Sequence, residues 1–275
     1  VGVEDQVGFG YQGAAVILAT GTFLSGLVHI GHVSFQAGRA GEFASYALAD
    51  SITGAGFELG RMKTGTPPRL ARSSIDFSKF SAQEIDPRPR PFSFSTQGFG
   101  LPQVPSHIGR TNPRVHRLVK QNLERSALYG GIIKGIPARY CPSFEDKIVR
   151  FGDRDHHQVI LEPEGIDTEE IYASGLGNSL PIEIQIEVVR AVEGLEAAEI
   201  MRPAYAIEYD YVNPIQLKPT LETKKIAEPC SFTSLYSIRV PKTVNVIVFP
   251  SLYIAPPLPP PGVPESAGLA PYPMA

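Results

Sequence analysis

The sequence predicts a mixed α/β fold, and three observations predict it. A short continuous apolar run, Ala14 to Thr20, ends in Gly21, as a strand of a parallel sheet buried on both faces does. Leu180, Ile184, Val188 and Val192 recur every four residues, the stripe of an amphipathic helix. Tyr205, Ile207, Tyr209 and Tyr211 alternate with other residues, the period of a strand. Helices and strands mixed along one chain favour this class.

Taken in order, Gly8-Phe9-Gly10-Tyr11-Gln12-Gly13 spells the dinucleotide pattern GxGxxG. That fingerprint must follow a strand and open a helix, so that phosphate meets the helix N-terminus. Here it precedes the strand at Ala14, so it reads as a hairpin or approach loop. Ala44 to Thr53 carries small and apolar residues at helical spacing, and Gly54 ends that helix. Gly65-Thr66-Pro67-Pro68 reads as a turn or loop. Residues 76–113, rich in Pro, Ser, Phe and Gly, read as an ordered but irregular excursion. Asn112 caps a helix whose first residue is Pro113, with Val115, Leu118, Val119, Asn122 and Leu123 on one face. Ser143 and Asp146 form a capping-box pattern, so a helix begins near Ser143. His157 to Leu161 reads as a strand entering the turn Glu162-Pro163-Glu164-Gly165. Pro181 stands in the first turn of the helix that Gly194 closes. Residues 229–264 hold no Asp or Glu, and from Pro256 the chain is Pro-rich, a composition that cannot build a packed core.

The chain has 275 residues, 43% of them hydrophobic, enough for a sizeable core. A net charge of −3 argues against a generally basic nucleic-acid binder while leaving room for a local basic face. The two cysteines, Cys141 and Cys230, form no CxxC or Cys/His cluster, which fits a reducing compartment. No apolar run reaches the roughly 18 residues needed to span a bilayer. His29-Ile30-Gly31-His32 spells HIGH but lacks the lysine-rich loop that would complete a synthetase site. His156 and His157 are adjacent, so on a strand they point to opposite faces and do not share a metal.

Three groups of residues are candidates for chemistry. The strand end Ala19-Thr20-Gly21-Thr22-Phe23-Leu24 lies where open α/β folds bind ligands, and the alternative is an ordinary glycine turn. Cys141, beside Arg139 and just ahead of a helix, is placed where a thiolate is stabilised; a buried inert cysteine is the alternative. Arg61, Lys63, Arg69 and Arg72 flank the GTPP segment, and Arg110, Arg114, Arg117, Lys120 and Arg125 cluster around the second helix. These are candidate phosphate contacts, against the alternative of a solvated charged face.

Together the segments resemble the MnmG/GidA family. The series Ala-Thr-Gly-Thr-Phe-Leu (19–24), His-Ile-Gly (29–31), Gly-Arg-Ala-Gly-Glu (38–42), Gly-Arg-Met-Lys-Thr-Gly-Thr-Pro-Pro-Arg (60–69) and Thr-Asn-Pro (111–113) is similar to that family in order. So are Arg-Tyr-Cys-Pro-Ser-Phe-Glu-Asp-Lys (139–147), Leu-Glu-Pro-Glu-Gly (161–165), Arg-Pro-Ala-Tyr-Ala-Ile-Glu-Tyr-Asp (202–210) and Leu-Glu-Thr-Lys (221–224). The resemblance implies a Rossmann-like FAD-binding domain with an inserted nicotinamide/substrate domain. It implies FAD, NADH and methylene-tetrahydrofolate as cofactors, and tRNA and a partner GTPase as partners. The product is a (carboxymethyl)aminomethyl group on carbon 5 of the wobble uridine. The family is homodimeric, with no membrane segment, and cytoplasmic, or mitochondrial in a eukaryote. Gly21, Thr22 and Ser45 fall at flavin-contact positions. Pro137-Ala138-Arg139-Tyr140-Cys141-Pro142-Ser143-Phe144-Glu145-Asp146-Lys147-Ile148-Val149-Arg150-Phe151 covers the nicotinamide-binding stretch. Cys141, with Arg139, matches the catalytic position, and Arg61, Lys63, Arg69, Arg110, Arg114, Arg117 and Lys120 become candidate tRNA contacts.

The domain expectation is a partial FAD-binding domain over 1–62, the inserted domain over 63–200, a return segment over 201–228 and a disordered or frame-altered tail over 229–275. The family's N-terminal flavin loop, its GQINGTTG-like segment and its C-terminal helical domain are not in the sequence. Pro137-Ala138 stands for a usual Gly-Pro, Ala204 for a usual Gly and Ser106-His107 for a usual Cys-Tyr, and Arg117 stands where an acid is common. The expectation is therefore an internal fragment, inactive alone and unable to hold FAD. The alternatives are another FAD/NAD-dependent oxidoreductase and a non-catalytic tRNA- or partner-binding fragment.

Overall fold

The computed structural model describes residues 2–5, 8–13, 15–98, 100–138, 141–225, 230–232 and 246–248. Apart from two short strands, the Pro-rich tail lies outside the described residues. The strands, in chain order, are β1 (Gly2–Glu4), β2 (Gly10–Gln12), β3 (Val16–Leu18), β4 (Leu27–Ile30), β5 (Val33–Gln36), β6 (Leu59–Thr66), β7 (Arg69–Ala71) and β8 (Ser81–Ala82). They continue as β9 (His107–Arg110), β10 (Ile136–Pro137), β11 (Gln158–Pro163), β12 (Glu170–Ser174), β13 (Ile200–Arg202), β14 (Tyr205–Val212), β15 (Cys230–Phe232) and β16 (Val246–Val248). The helices are α1 (Tyr46–Gly54), α2 (Pro113–Gln121), α3 (Phe144–Arg150) and α4 (Ile182–Arg190).

Two compact units share the chain. The first takes residues 1–21, 50–59 and 212–275; the second takes 22–49 and 60–211. In the first, β1 and β2 close an antiparallel hairpin in the register Gly2↔Gln12 to Glu4↔Gly10, so the GxGxxG segment is a hairpin as its position ahead of a strand required. The apolar run forms β3, whose three residues are buried and which pairs in parallel with β15 and β16. That is the environment its unbroken hydrophobicity demands.

The second unit holds two sheets. One has the strand order β10-β6-β14-β4-β5, and Val28, Ala37 and Ile207 form its small core. The other, ordered β13-β7-β12-β11-β9-β8, is antiparallel at every pairing, and α2 packs against both α3 and α4. Leu70, Val115, Val119, Phe144, Ile148, Val159, Leu161, Ile171, Leu180, Ile184 and Val188 share the larger core. The period-four stripe of α4 supplies several of them, and the apolar face of α2 supplies Val115 and Val119.

Both caps act as the sequence requires. The Asn112 side chain accepts from the backbone N–H groups of Arg114 and Val115, and its amide donates to the Ala191 carbonyl at 2.7 Å. Ser143 and Asp146 complete a capping box at the start of α3. One element differs from expectation: Gly65 and Thr66, read as a loop, are the last residues of β6, and the turn is confined to Pro67-Pro68. β10 and β14 flank β6 on its two sides, and this pairing extends the strand to the first proline.

Candidate functional site: the cleft at Cys141

β10 is short, yet it sets the approach to Cys141. It pairs in parallel with β6 through Ile136↔Met62 and Pro137↔Lys63, and the Ala138 N–H donates to the Lys63 carbonyl at 2.8 Å. The Cys141 N–H then closes a turn onto the Ala138 carbonyl at 3.2 Å. Its Sγ lies 3.2 Å from Thr64 Oγ1. Arg139 and Tyr140, expected beside the thiol, lie outside the described residues.

Cys141 opens onto a cleft of about 140 Å³ whose other walls include Lys63, Ser143, Lys147, Tyr172 and Asn178. α3 contributes by helical period: Ser143 and Lys147, four apart, face the cleft, while Phe144, Glu145 and Ile148 turn inward and Val149 and Arg150 face solvent. Only part of the 137–151 stretch therefore lines the cleft. The Phe144 N–H donates to the Gly177 carbonyl at 2.6 Å, which ties the start of α3 to the 175–180 loop. Gly175 sits at φ 97° and a Cβ there would meet the Gln158 carbonyl at 2.5 Å, so the loop needs glycine at that point.

The charges beneath the cleft are enclosed. Lys63 is 1% exposed. Glu145 is buried, and its Oε1 accepts from the Ser179 N–H at 2.8 Å and the Ser179 hydroxyl at 2.9 Å. Its Oε2 has no partner among the described residues. Burial pushes the Glu145 carboxyl above the ordinary carboxylate range, and the Ser179 bonds and the Lys63 charge oppose that shift. Burial also lowers Lys147, against the pull of Cys141. Asp146 accepts from the Tyr129 hydroxyl at 3.2 Å, and burial together with that carboxylate pushes the phenol up to about 12.

Of the basic candidates, Lys63 faces the cleft rather than solvent, as strand alternation puts it on the face of β6 shared with Gly65. An ammonium enclosed in this way is not available to a nucleic-acid backbone. Arg61 is paired with Asp210 at 3.0 Å and with the Ser25 carbonyl. Arg69 bonds Glu164 at 2.6 Å and lies over the Tyr172 ring at 4.6 Å, a strut for the cleft wall. Arg110 at the end of β9 and Arg114, Arg117 and Lys120 on α2 are exposed, and none forms an ion pair among the described residues.

The flavin-contact candidates sit at a 3-10 turn. Gly21 begins it at φ 51°, with open space where a Cβ would stand. The Thr22 hydroxyl donates to the Gly38 carbonyl at 2.7 Å, and the Ser45 N–H donates to the Phe23 carbonyl at 2.8 Å.

Sequence reasoning missed the partners of His29. Its Nε2 lies 2.9 Å from Glu208 Oε2 and its Nδ1 lies 2.7 Å from Ser34 Oγ. Glu208 Oε1 accepts from the N–H groups of Lys134 and Gly135 at 2.8 and 2.5 Å, just ahead of β10. Burial holds the imidazole below its ordinary pKa in spite of Glu208. The His-Ile-Gly motif thus anchors the segment leading to Cys141. The signal available was the alternation of β14, which sets Glu208 on the side of Ala206 and away from Tyr209.

A family model described as Glucose inhibited division protein A matches residues 1–229. The chain belongs to the GidA family. The tRNA uridine 5-carboxymethylaminomethyl modification enzyme MnmG of Syntrophobacter fumaroxidans is 61% identical over 226 residues, covering 82% of this chain and 35% of that relative. The enzyme of the same name from Geobacter metallireducens is 56% identical over 225 residues, covering 82% of this chain and 36% of that one. The form I crystal structure of Aquifex aeolicus GidA superimposes with a TM-score of 0.77 at 48% identity, over 85% of this chain and 40% of that one. The GidA chain described here spans about a third of the length of its curated relatives. Among its described residues no helix is long and apolar enough to cross a membrane.

Proposed function

We propose that this chain carries the nicotinamide- and substrate-facing part of a FAD-dependent tRNA-modifying enzyme acting on carbon 5 of the wobble uridine. The observation that carries the reading is the Cys141 cleft, where a half-buried thiol and Lys147 share a wall with the enclosed Lys63. A cavity of about 140 Å³ suits a nicotinamide-sized ring, and its mixture of hydroxyl, amide and aromatic walls fits such a ligand. Cys141, Ser143 and Lys147 would hold the nicotinamide end. The open backbone at Gly21, with Thr22 and Ser45, would face the flavin. Bound FAD, NADH and methylene-tetrahydrofolate would supply the reducing electrons and the one-carbon unit.

The protein's own groups bind, orient and hold protons. Lys147, whose pKa burial lowers, lines the same cleft as the Cys141 thiol. Arg110, Arg114, Arg117 and Lys120 form the tRNA-facing ridge. The family resemblance supplies the partner GTPase, the dimer and the cytoplasmic setting of this reading. The 1–62, 63–200 and 201–228 division belongs to the same reading.

The test is NADH binding to the purified 275-residue chain, followed by fluorescence, with Cys141→Ser and Lys147→Met alongside. Lys147→Met should weaken NADH by about tenfold, the order of one lost charge-assisted hydrogen bond. A chain that binds NADH equally well with either substitution would overturn the assignment of the cleft.

A further inference from the structure

A second cavity, of about 320 Å³, adjoins the first, and the two share Pro142, Lys147, Ser174 and Gly175. Its far wall is built from Arg154, His157 and Gln158, all outside the 137–151 stretch. Among the described residues, no acidic side chain lines it. Lys147 and Arg154 form no ion pair among the described residues, although Asp153 and Asp155 flank Arg154 in sequence. Arg154 lies over the Phe151 ring at 5.3 Å, which steadies the guanidinium at the rim.

His157 is the unexplained group in this wall. It is 7% exposed, and its Nε2 has no hydrogen-bond partner among the described residues. A buried polar atom without a partner is uncommon and calls for an account. The ring is otherwise well held: its backbone N–H donates to Thr111 Oγ1 at 2.8 Å, its face meets His116 at 5.2 Å and Phe144 meets it edge-on at 6.2 Å. Thr111 Oγ1 accepts from that N–H and also lies 2.8 Å from His116 Nε2. The Nε2 of His116 is thus engaged with Thr111 and not with His157. Burial and the cations around it keep His157 neutral, and a neutral imidazole can present Nε2–H as a donor without carrying charge.

We propose that this second chamber is a phosphoryl-binding site, taking the diphosphate of a nicotinamide dinucleotide whose ring enters the Cys141 cleft. Lys147 and Arg154 supply charge, while the His157 Nε2–H and the Gln158 amide supply directed donors. Ring and diphosphate of such a ligand are separated by a single ribose, and the two chambers meet at Lys147. The proposal rests on the reading of the Cys141 cleft as the nicotinamide pocket. A free phosphate anion has the same chemistry, so the test separates the two sources.

The full chain is titrated with NADH, with reduced nicotinamide riboside (which lacks phosphate) and with inorganic pyrophosphate. Each titration is repeated on Arg154→Ala, whose side chain is exposed, and on His157→Phe, which keeps a ring in the wall. The expected result is that each variant weakens NADH and pyrophosphate by about tenfold and leaves the riboside unchanged. If pyrophosphate binding depends on Arg154 and His157 but NADH does not bind, the phosphoryl site stands and its ligand is a free anion, while the nicotinamide reading fails. If NADH binds with equal affinity to all three proteins, the nicotinamide reading survives and the phosphoryl site is overturned. If neither NADH nor pyrophosphate binds the unaltered chain, both are overturned.

Discussion

Glu145 is the residue whose environment is least like water. Its carboxyl is fully enclosed, one oxygen serves Ser179 and the other has no partner among the described residues. Its folded pKa is raised above the unfolded value. Stability from this group is therefore complete below the unfolded pKa and is lost as pH rises through the folded pKa. The melting temperature should fall across that window, and Glu145→Gln should flatten the fall, as read by thermal unfolding at a series of pH values. An unchanged pH profile in the variant would mean that Lys63 compensates the charge fully. None of this was legible in the sequence, where Glu145 reads as one acid in the first turn of a helix. Its burial comes from the 175–180 loop, more than thirty residues downstream. Cys141 was legible as a candidate because its neighbours Ser143 and Asp146 announce the helix by spacing alone. Lys63 was legible as a basic candidate, but its enclosure was not, since a basic residue between Met62 and Thr64 carries no mark of the strands that will cover it.

At the scale of elements, the caps make the sharpest predictions. Ser143→Ala removes the side-chain bond to the Asp146 N–H and should cost about 1 kcal/mol in urea unfolding. Asn112→Ala removes a cap and also the bond to the Ala191 carbonyl that joins α2 to the end of α4. It should cost more, about 2 kcal/mol or the sum of a cap and a buried hydrogen bond. Equal losses for the two variants would show that the Ala191 bond contributes nothing. Both helices were readable because capping is local, with signal and consequence lying within three residues. The end of β6 was misjudged because its pairing partners, β10 and β14, are remote in sequence. α2 also bears the exposed cations. Arg114→Glu with Arg117→Glu should weaken tRNA binding and make its salt dependence shallower, by about one unit of log–log slope for each phosphate interaction removed. Filter binding at several salt concentrations reads this directly, and an unchanged slope would remove the ridge from the RNA surface.

For the molecule as a whole, the larger unit holds the extended core, while residues 83–106 leave it as an irregular excursion with Phe92 and Phe94 fully exposed. Proteases should nick the chain there first, at the basic sites Arg88 and Arg90, with the cut pieces staying associated. Mass spectrometry after brief trypsin treatment identifies the sites, and earlier cleavage within α2 or α4 would contradict the core described. The fold class was legible because each element announces its own period. The smaller unit is gathered from three separate stretches of sequence.

That gathering has a consequence in time. Val16, Ile17 and Leu18 pair with Cys230 to Phe232 and with Val246 to Val248, more than two hundred residues later. On a ribosome adding 5–20 residues per second, the strand waits roughly 10–40 s for its neighbours. Through that interval the apolar ribbon lacks these two neighbours while the intervening unit is made and can fold. The hazard in making this protein therefore falls on this strand, and a chaperone that shields nascent apolar segments should raise its soluble yield more than any change made to the cleft.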